Sequence, residues 1–144
     1  MDAIDKQILR LLTENSRTTS SDIAKEVHLS IPAVAERIRK LDEQNIIESF
    51  TVKLNRRALG YAHLVYISVV LPGTLDTDVF RKAMREHAFV MECHHIAGEY
   101  DYLLKVSVPD TDALEYFITD SLKKQLGVLK SNTVFVLSTV KEKV

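Results

Sequence analysis

The chain has 144 residues, enough for one ordinary domain or two small ones, and its 46% hydrophobic and 27% charged content is that of a folded globular protein. A net charge of -1 excludes a globally basic nucleic-acid binder, and the single cysteine, Cys93, excludes an internal disulfide and fits a reducing compartment. The one long apolar run, Leu64 to Leu71, is too short to span a bilayer, and MDAIDKQILRLL has neither a basic leader nor a small-residue cleavage site, so a cytoplasmic protein with no membrane partner is expected.

Taken in order, Asp2 to Asn15 reads as a helix with Asp2 as N-cap, Asp5 near the positive end of the dipole, and Ile4, Ile8, Leu11 and Leu12 as the apolar stripe. Thr19 followed three residues later by Asp22 is the pattern of a capping box and opens a second helix, Ser21 to Val27, with Ile23, Ala24 and Val27 inward. His28-Leu29 is a turn. Ser30 is the N-cap of a third helix, Pro32 to Glu43, in which Pro32 sits where a missing N–H costs nothing. Val34, Ile38 and Leu41 share one face of this helix. Pro32, Glu36, Arg39, Lys40 and Glu43 share the other, with Ala33 and Arg37 on its flank.

A short helix, a tight turn and a second helix with a polar outer face is the layout of a helix-turn-helix reading head. The structural alternative is a plain three-helix bundle with a solvated charged face. Asn45 suits a helix stop, and Ile46 to Leu54 reads as extended, the wing of a winged-helix domain. Residues 1–60 carry ten Lys or Arg against nine Asp or Glu. Arg37, Arg39, Lys40, Lys53, Arg56 and Arg57 make a modest basic patch, so DNA would be held by more than one copy. On this reading Ser30, Pro32, Ala33, Glu36, Arg37 and Lys40 lie nearest bases or phosphates. Arg39 either joins them or bridges to Glu43 one turn on. The expected division is a reading head over 1–53, a short linker over 54–61 closed by Gly60, and a second domain over 62–144.

The second half alternates strand and helix: strand 64–71, helix 76–87 with Val79, Phe80 and Ala83 inward, and strand 89–97. A turn at 98–101 leads to strand 102–108, helix 112–126 with Leu114, Phe117, Ile118 and Leu122 inward, and a long strand 128–140. The order βαββαβ is that of a ferredoxin-like fold, α+β in class. Both alternating sets of strand residues are rich in Val, Ile, Leu and Tyr, which predicts that the helix-free sheet face is covered by a second copy of the chain.

Enzyme signatures are missing: no phosphate-cradling glycine loop, nucleophile elbow or paired-cysteine zinc motif occurs. In Cys93-His94-His95, Cys93 and His95 point to one side of a strand and His94 to the other. No third and fourth ligand accompanies them, so neither a metal nor another cofactor is expected. Gly98-Glu99-Tyr100-Asp101-Tyr102 is a β-turn at the least. Its acid, aromatic rings and turn N–H groups could also hold the ammonium and carboxylate of an amino acid.

The stretch from Met1 to Tyr61, with IAGEYDYLLKV and NTVFVLSTVKE in the second half, resembles the Lrp/AsnC family of feast/famine transcriptional regulators over nearly the whole chain. The resemblance implies a non-enzymatic, sequence-specific regulator of double-stranded DNA, with a winged helix-turn-helix domain followed by a ferredoxin-like domain. It also implies homodimers assembling to octamers, and an amino acid or related effector bound between dimers. The family's turn motif falls on Gly98, Glu99, Tyr100, Asp101 and Tyr102, and its last-strand pocket positions fall on Ser131 and Thr133, Ser131 standing where Thr is more usual. A DNA-wrapping architectural protein without an effector is the alternative.

Overall fold

In a computed structural model, which describes residues 1–143, the chain divides into two units, 1–54 and 55–142. In the first unit, α1 (Ala3–Glu14) begins with a full capping box. The Asp2 carboxylate accepts the Asp5 N–H at 2.9 Å, and the Asp5 carboxylate accepts the Asp2 N–H at 2.8 Å. Helix α2 (Ser20–Val27) is capped by Thr19, whose hydroxyl accepts the Asp22 N–H at 3.1 Å, and it ends on His28 in the left-handed region, φ 55°. Helix α3 (Ile31–Glu43) is capped by Ser30 through the Ala33 N–H. Asn45, also at φ 55°, turns the chain so that the N–H groups of Ile46 and Ile47 both reach the Leu41 carbonyl. Ile8, Leu12, Ile23, Ala24, Val27, Val34 and Leu41 form the buried centre, with Ile4, Leu11 and Ile38 packed at its margin.

The expected wing is not formed: among the described residues, 46–54 contain no strand. IIESFTVKL holds no Gly, Pro, Asn or Asp, and Ser49 is its one residue of the kind that favours a chain reversal, so the local signal for a hairpin is weak. Phe50, Val52 and Leu54 recur at the two-residue strand period and are all more than half exposed.

The second unit opens with a wound turn. The Asn55 side chain accepts the Ala58 N–H at 3.1 Å, Gly60 takes φ 91°, and the Tyr61 N–H bonds to the Arg56 carbonyl. The remaining elements are β1 (His63–Val70), α4 (Thr77–Glu86), β2 (Val90–His95), β3 (Tyr102–Val108), α5 (Thr111–Tyr116) and β4 (Lys130–Phe135). All strand pairs are antiparallel, in the order β2-β3-β1-β4, which is the ferredoxin-like arrangement expected. Val65, Ile67, Val69, Leu104, Val106 and Val108 pack on one sheet face against Phe80, Met84, Leu114, Phe117 and Leu122. Each such side chain contributes about 1.5–3 kcal/mol by burial.

Four expectations shift. Val79 is 52% exposed and Met84 is buried in its place, because the inward stripe of α4 is Phe80, Ala83 and Met84. After Tyr116 the second helix widens to a π-helix, Phe117–Gln125, which turns Ser121 and Leu122 inward and leaves Ile118 at the margin. The last strand stops at Phe135; Val136 still donates to the Leu64 carbonyl, after which Leu137 and Val140 are almost wholly exposed. The helix-free sheet face is not evenly apolar. Leu64, Tyr66, Val70 and Leu103 lie on it, but its centre holds buried Lys105 and Ser107, with Lys105 ion-paired to Glu92 at 3.2 Å and to Glu142. Those two carboxylates, Glu142 first, hold the Lys105 ammonium above its ordinary range. Alternation alone could not foresee them, since Glu142 lies 37 residues away.

Candidate functional site

Helix α3 presents a solvent-facing row fixed from behind by buried Val34 and Leu41. Ser30, Pro32, Glu36, Arg39 and Lys40 are exposed, and Ala33 is half-buried. The cations of this row are already paired. Arg39 donates from Nε and Nη2 to Glu36, both at 2.8 Å, and also to Glu43, while Lys40 lies 3.6 Å from Glu36. The Arg39 hydrogen bond and charge, with Lys40 adding less, pull the Glu36 carboxyl down to about 2, so it is ionised at any ordinary pH. The i+4 bridge between Arg39 and Glu43 is therefore present, together with a second acid on the other side. Surface pairs of this kind exchange readily for other partners because each contributes little in water.

Arg37 behaves differently. Its Nη1 donates to Asp2 at 2.8 Å and to Asp5 at 2.7 Å, the two acids of the α1 capping box. The Asp5 side chain is only 14% exposed, and the Arg37 side chain 30%. Arg37 therefore ties α3 to the start of α1 from the flank of the exposed row. Spacing could not separate it from Lys40, because its partners lie more than thirty residues earlier.

At the far end of the second unit's sheet, the turn is pinned to β1. The Asp101 N–H bonds to the Val69 carbonyl, and the Leu71 N–H donates to Asp101 Oδ2 at 2.8 Å. Gly98 holds φ 140°, a conformation closed to most side chains. Glu99 pairs with Lys130 at 2.7 Å, and the Lys130 ammonium sits 5.1 Å from the centre of the Tyr100 ring. The register places Ser131 opposite Val69 and Thr133 opposite Ile67, both half-buried on the helix side of the edge strand β4. Gly98 to Asp101 and the start of β4 thus come together through Lys130. Tyr102 does not join them: it is buried, stacked on His95 at 4.9 Å, and its hydroxyl accepts from Arg81 Nε at 2.7 Å.

Two comparisons bear on this arrangement. Residues 1–42 match the AsnC-type helix-turn-helix domain, and residues 64–144 match the Lrp/AsnC ligand binding domain. Over 144 residues the chain is 33% identical to the leucine-responsive regulatory proteins of Klebsiella pneumoniae and of Escherichia coli K12, covering 99% of this chain and 88% of each relative.

The chain belongs to the Lrp/AsnC family of transcriptional regulators.

Solved structures agree. A transcriptional regulator from Neisseria meningitidis, in complex with L-Met, superposes with a TM-score of 0.94 at 28% identity, covering 99% of this chain and 94% of that one. LrpC of B. subtilis superposes at 0.88 with 25% identity, covering 99% of both. This Lrp/AsnC chain is a DNA-binding transcriptional regulator with an effector-binding domain. Lys130 was not foreseen as part of the turn site, although its place immediately before Ser131 was a signal that could have found it. In the Lrp/AsnC chain Cys93 and His95 face the helix side, whereas His94 bonds to Glu92 on the other. Among the described residues no three of His, Cys, Asp and Glu gather as a metal-binding group, and no helix is long and apolar enough to cross a membrane.

Proposed function

We propose that this regulator binds DNA as a homo-oligomer, reads it with the exposed row of α3, and is modulated by an amino acid held at the 98–101 turn between dimers. The carrying observation is that row itself: Ser30, Pro32, Glu36, Arg39 and Lys40 stand in solvent on a helix whose opposite face is fixed by buried Val34 and Leu41. Arg39 and Lys40 change partner from Glu36 to phosphate when the helix enters the major groove, and Ser30 and Pro32 lead at its N-terminus. Arg37 supports the row without contacting DNA.

What the single chain leaves exposed supports self-association. Phe50, Val52 and Leu54 present an apolar stripe at strand period, and Val134 and Phe135 are exposed on an edge strand. Both suit pairing with another copy, and further assembly of dimers to an octamer would present several weakly charged heads at once. For the effector, Glu99 and Asp101 offer acids for an ammonium, and Ser131 and Thr133, both on the helix side of β4, offer hydrogen-bond partners for a carboxylate. The N. meningitidis relative, itself an L-Met complex, supports an amino acid as the class.

The test pairs two measurements on the full chain. Fluorescence anisotropy on DNA from its own promoter region is expected to show Lys40→Ala weakening binding and flattening the salt dependence by about one unit of slope. Thermal shift against the twenty amino acids is expected to show stabilisation by one or a few. Unchanged DNA affinity in Lys40→Ala removes α3 as the reader, and no shift with any amino acid removes the effector reading.

A further inference from the structure

Arg81, Met84 and Arg85 lie on one side of α4. With the edge strand β2 they wall a groove of 370 Å³, a size suited to a small metabolite. Its floor is apolar: Met84 and the Tyr102 ring are buried, and Cys93 is half-buried. Its mouth is cationic and wet. Arg85 and His95 are exposed there, and Met91 sits at the irregularity where β2 shifts register between Val90 and Glu92. The Tyr102 hydroxyl takes Arg81 Nε at 2.7 Å, which orients that guanidinium and leaves its outer N–H groups for another partner. Among the described residues neither Arg81 nor Arg85 is in an ion pair; Asp78 acts on Arg81 only as a charge at longer range. Glu92 is the groove's one acid, and its carboxylate is taken by Lys105 at 3.2 Å and His94 at 3.0 Å.

Two guanidinium groups one helical turn apart and an apolar floor define the chemistry of the occupant. A carboxylate matches the planar donor fork of arginine, and a short aliphatic tail matches Met84 and Met91. An ammonium has no uncommitted acid to meet in this groove, so a zwitterion would bring one buried charge without a partner. We propose that the groove between α4 and β2 binds a small carboxylate with a short aliphatic tail, in preference to the amino acid of the same skeleton. The site is separate from the 98–101 turn and does not depend on the reading given to that turn.

The test is calorimetry on the full chain at low ionic strength, with 4-methyl-2-oxopentanoate, leucine and inorganic phosphate as probes. Titrated below its lowered transition, Asp101→Ala is expected to bind the oxo acid as well as the parent does, and at least tenfold more tightly than it binds leucine. Arg85→Gln, a change at an exposed position, is expected to weaken the oxo acid about ten- to a hundredfold, the loss of a charge-assisted hydrogen bond. Arg85→Lys keeps the charge without the fork and is expected to fall between the two. The His95 ring resonances should move with the oxo acid and stay still with leucine. The proposal is overturned by no heat at millimolar oxo acid, by affinity that Arg85→Gln leaves unchanged, or by loss in Asp101→Ala instead. It is equally overturned if leucine binds as tightly in Asp101→Ala, or if phosphate displaces the oxo acid at equal concentration, which marks an unselective anion site.

Discussion

Replacing Asp101 with Ala tests whether the turn acid is an architectural residue as well as a ligand-facing one. The Asp101 Oδ2 atom accepts the Leu71 N–H at 2.8 Å and so ties the turn to the chain leaving β1. The backbone bonds from Asp101 to Val69 and from Ile96 to Asp101 do not need the side chain and survive. What is lost is one charge-assisted hydrogen bond, nominally about 1.5–3 kcal/mol. Water can reach half-buried Leu71 and replace part of it, so the expected loss is about 1.5 kcal/mol. For a unit of this size, about 1 kcal/mol moves Tm by roughly 4–8 °C, so a drop of roughly 6–12 °C is expected for the transition of the second unit. Asp101→Asn keeps a neutral acceptor and is expected to lose about half as much. Scanning calorimetry of the three proteins, followed by amino-acid titration below their transitions, separates the two roles. A Tm in Asp101→Ala within about 2 °C of the parent would refute the structural assignment. An effector response retained in Asp101→Ala would move the ammonium-binding role to Glu99.

Three further outcomes follow from the same geometry. Arg37→Ala leaves Asp2 and Asp5 without their cation and is expected to lower the transition of the first unit, whereas Lys40→Ala leaves that transition in place; equal behaviour of the two in a melting experiment contradicts the tie between α3 and α1. Glu36→Gln removes the acid that Arg39 and Lys40 leave on reaching phosphate, so DNA affinity at low salt is expected to rise with little change in the salt slope; weaker binding would show that Glu36 itself contacts the DNA. Burial holds the His87 imidazole below its ordinary value of 6.5, and its Nδ1 already accepts the Phe89 N–H at 3.2 Å, so the folded chain resists protonation. The unfolded chain then takes up the proton first, and this contribution to stability is intact above about pH 6.5 and lost as pH falls below it. Tm is expected to fall between pH 7 and pH 5, and to fall less in His87→Gln; the same slope in both proteins would exclude His87 as the cause.

Much of this protein is written in local chemistry. Asp2, Thr19, Ser30 and Asn45 mark helix boundaries because each solves a problem confined to one turn of backbone, and all four act where the sequence places them. Apolar periodicity likewise places the core positions Ile8, Val34, Leu41, Phe80, Phe117 and Leu122, since a period needs only its own element. The wing is absent because strand propensity is local, whereas a strand needs a partner, and 46–54 has only Ser49 to favour turning the chain onto itself. Val79 and Ile118 were misplaced because the phase of an amphipathic helix depends on the sheet beneath it. The α+β class, the helix-turn-helix and the turn at 98–101 are thus determined by the sequence alone, through caps, periods and breakers acting over a few residues. Which charges are available is decided only in three dimensions: Arg37 goes to Asp2 and Asp5, Lys105 to Glu92 and Glu142, and Tyr102 to Arg81. An ion pair or hydrogen bond between groups distant in sequence leaves no local pattern, because its partner is chosen by the path of the folded chain.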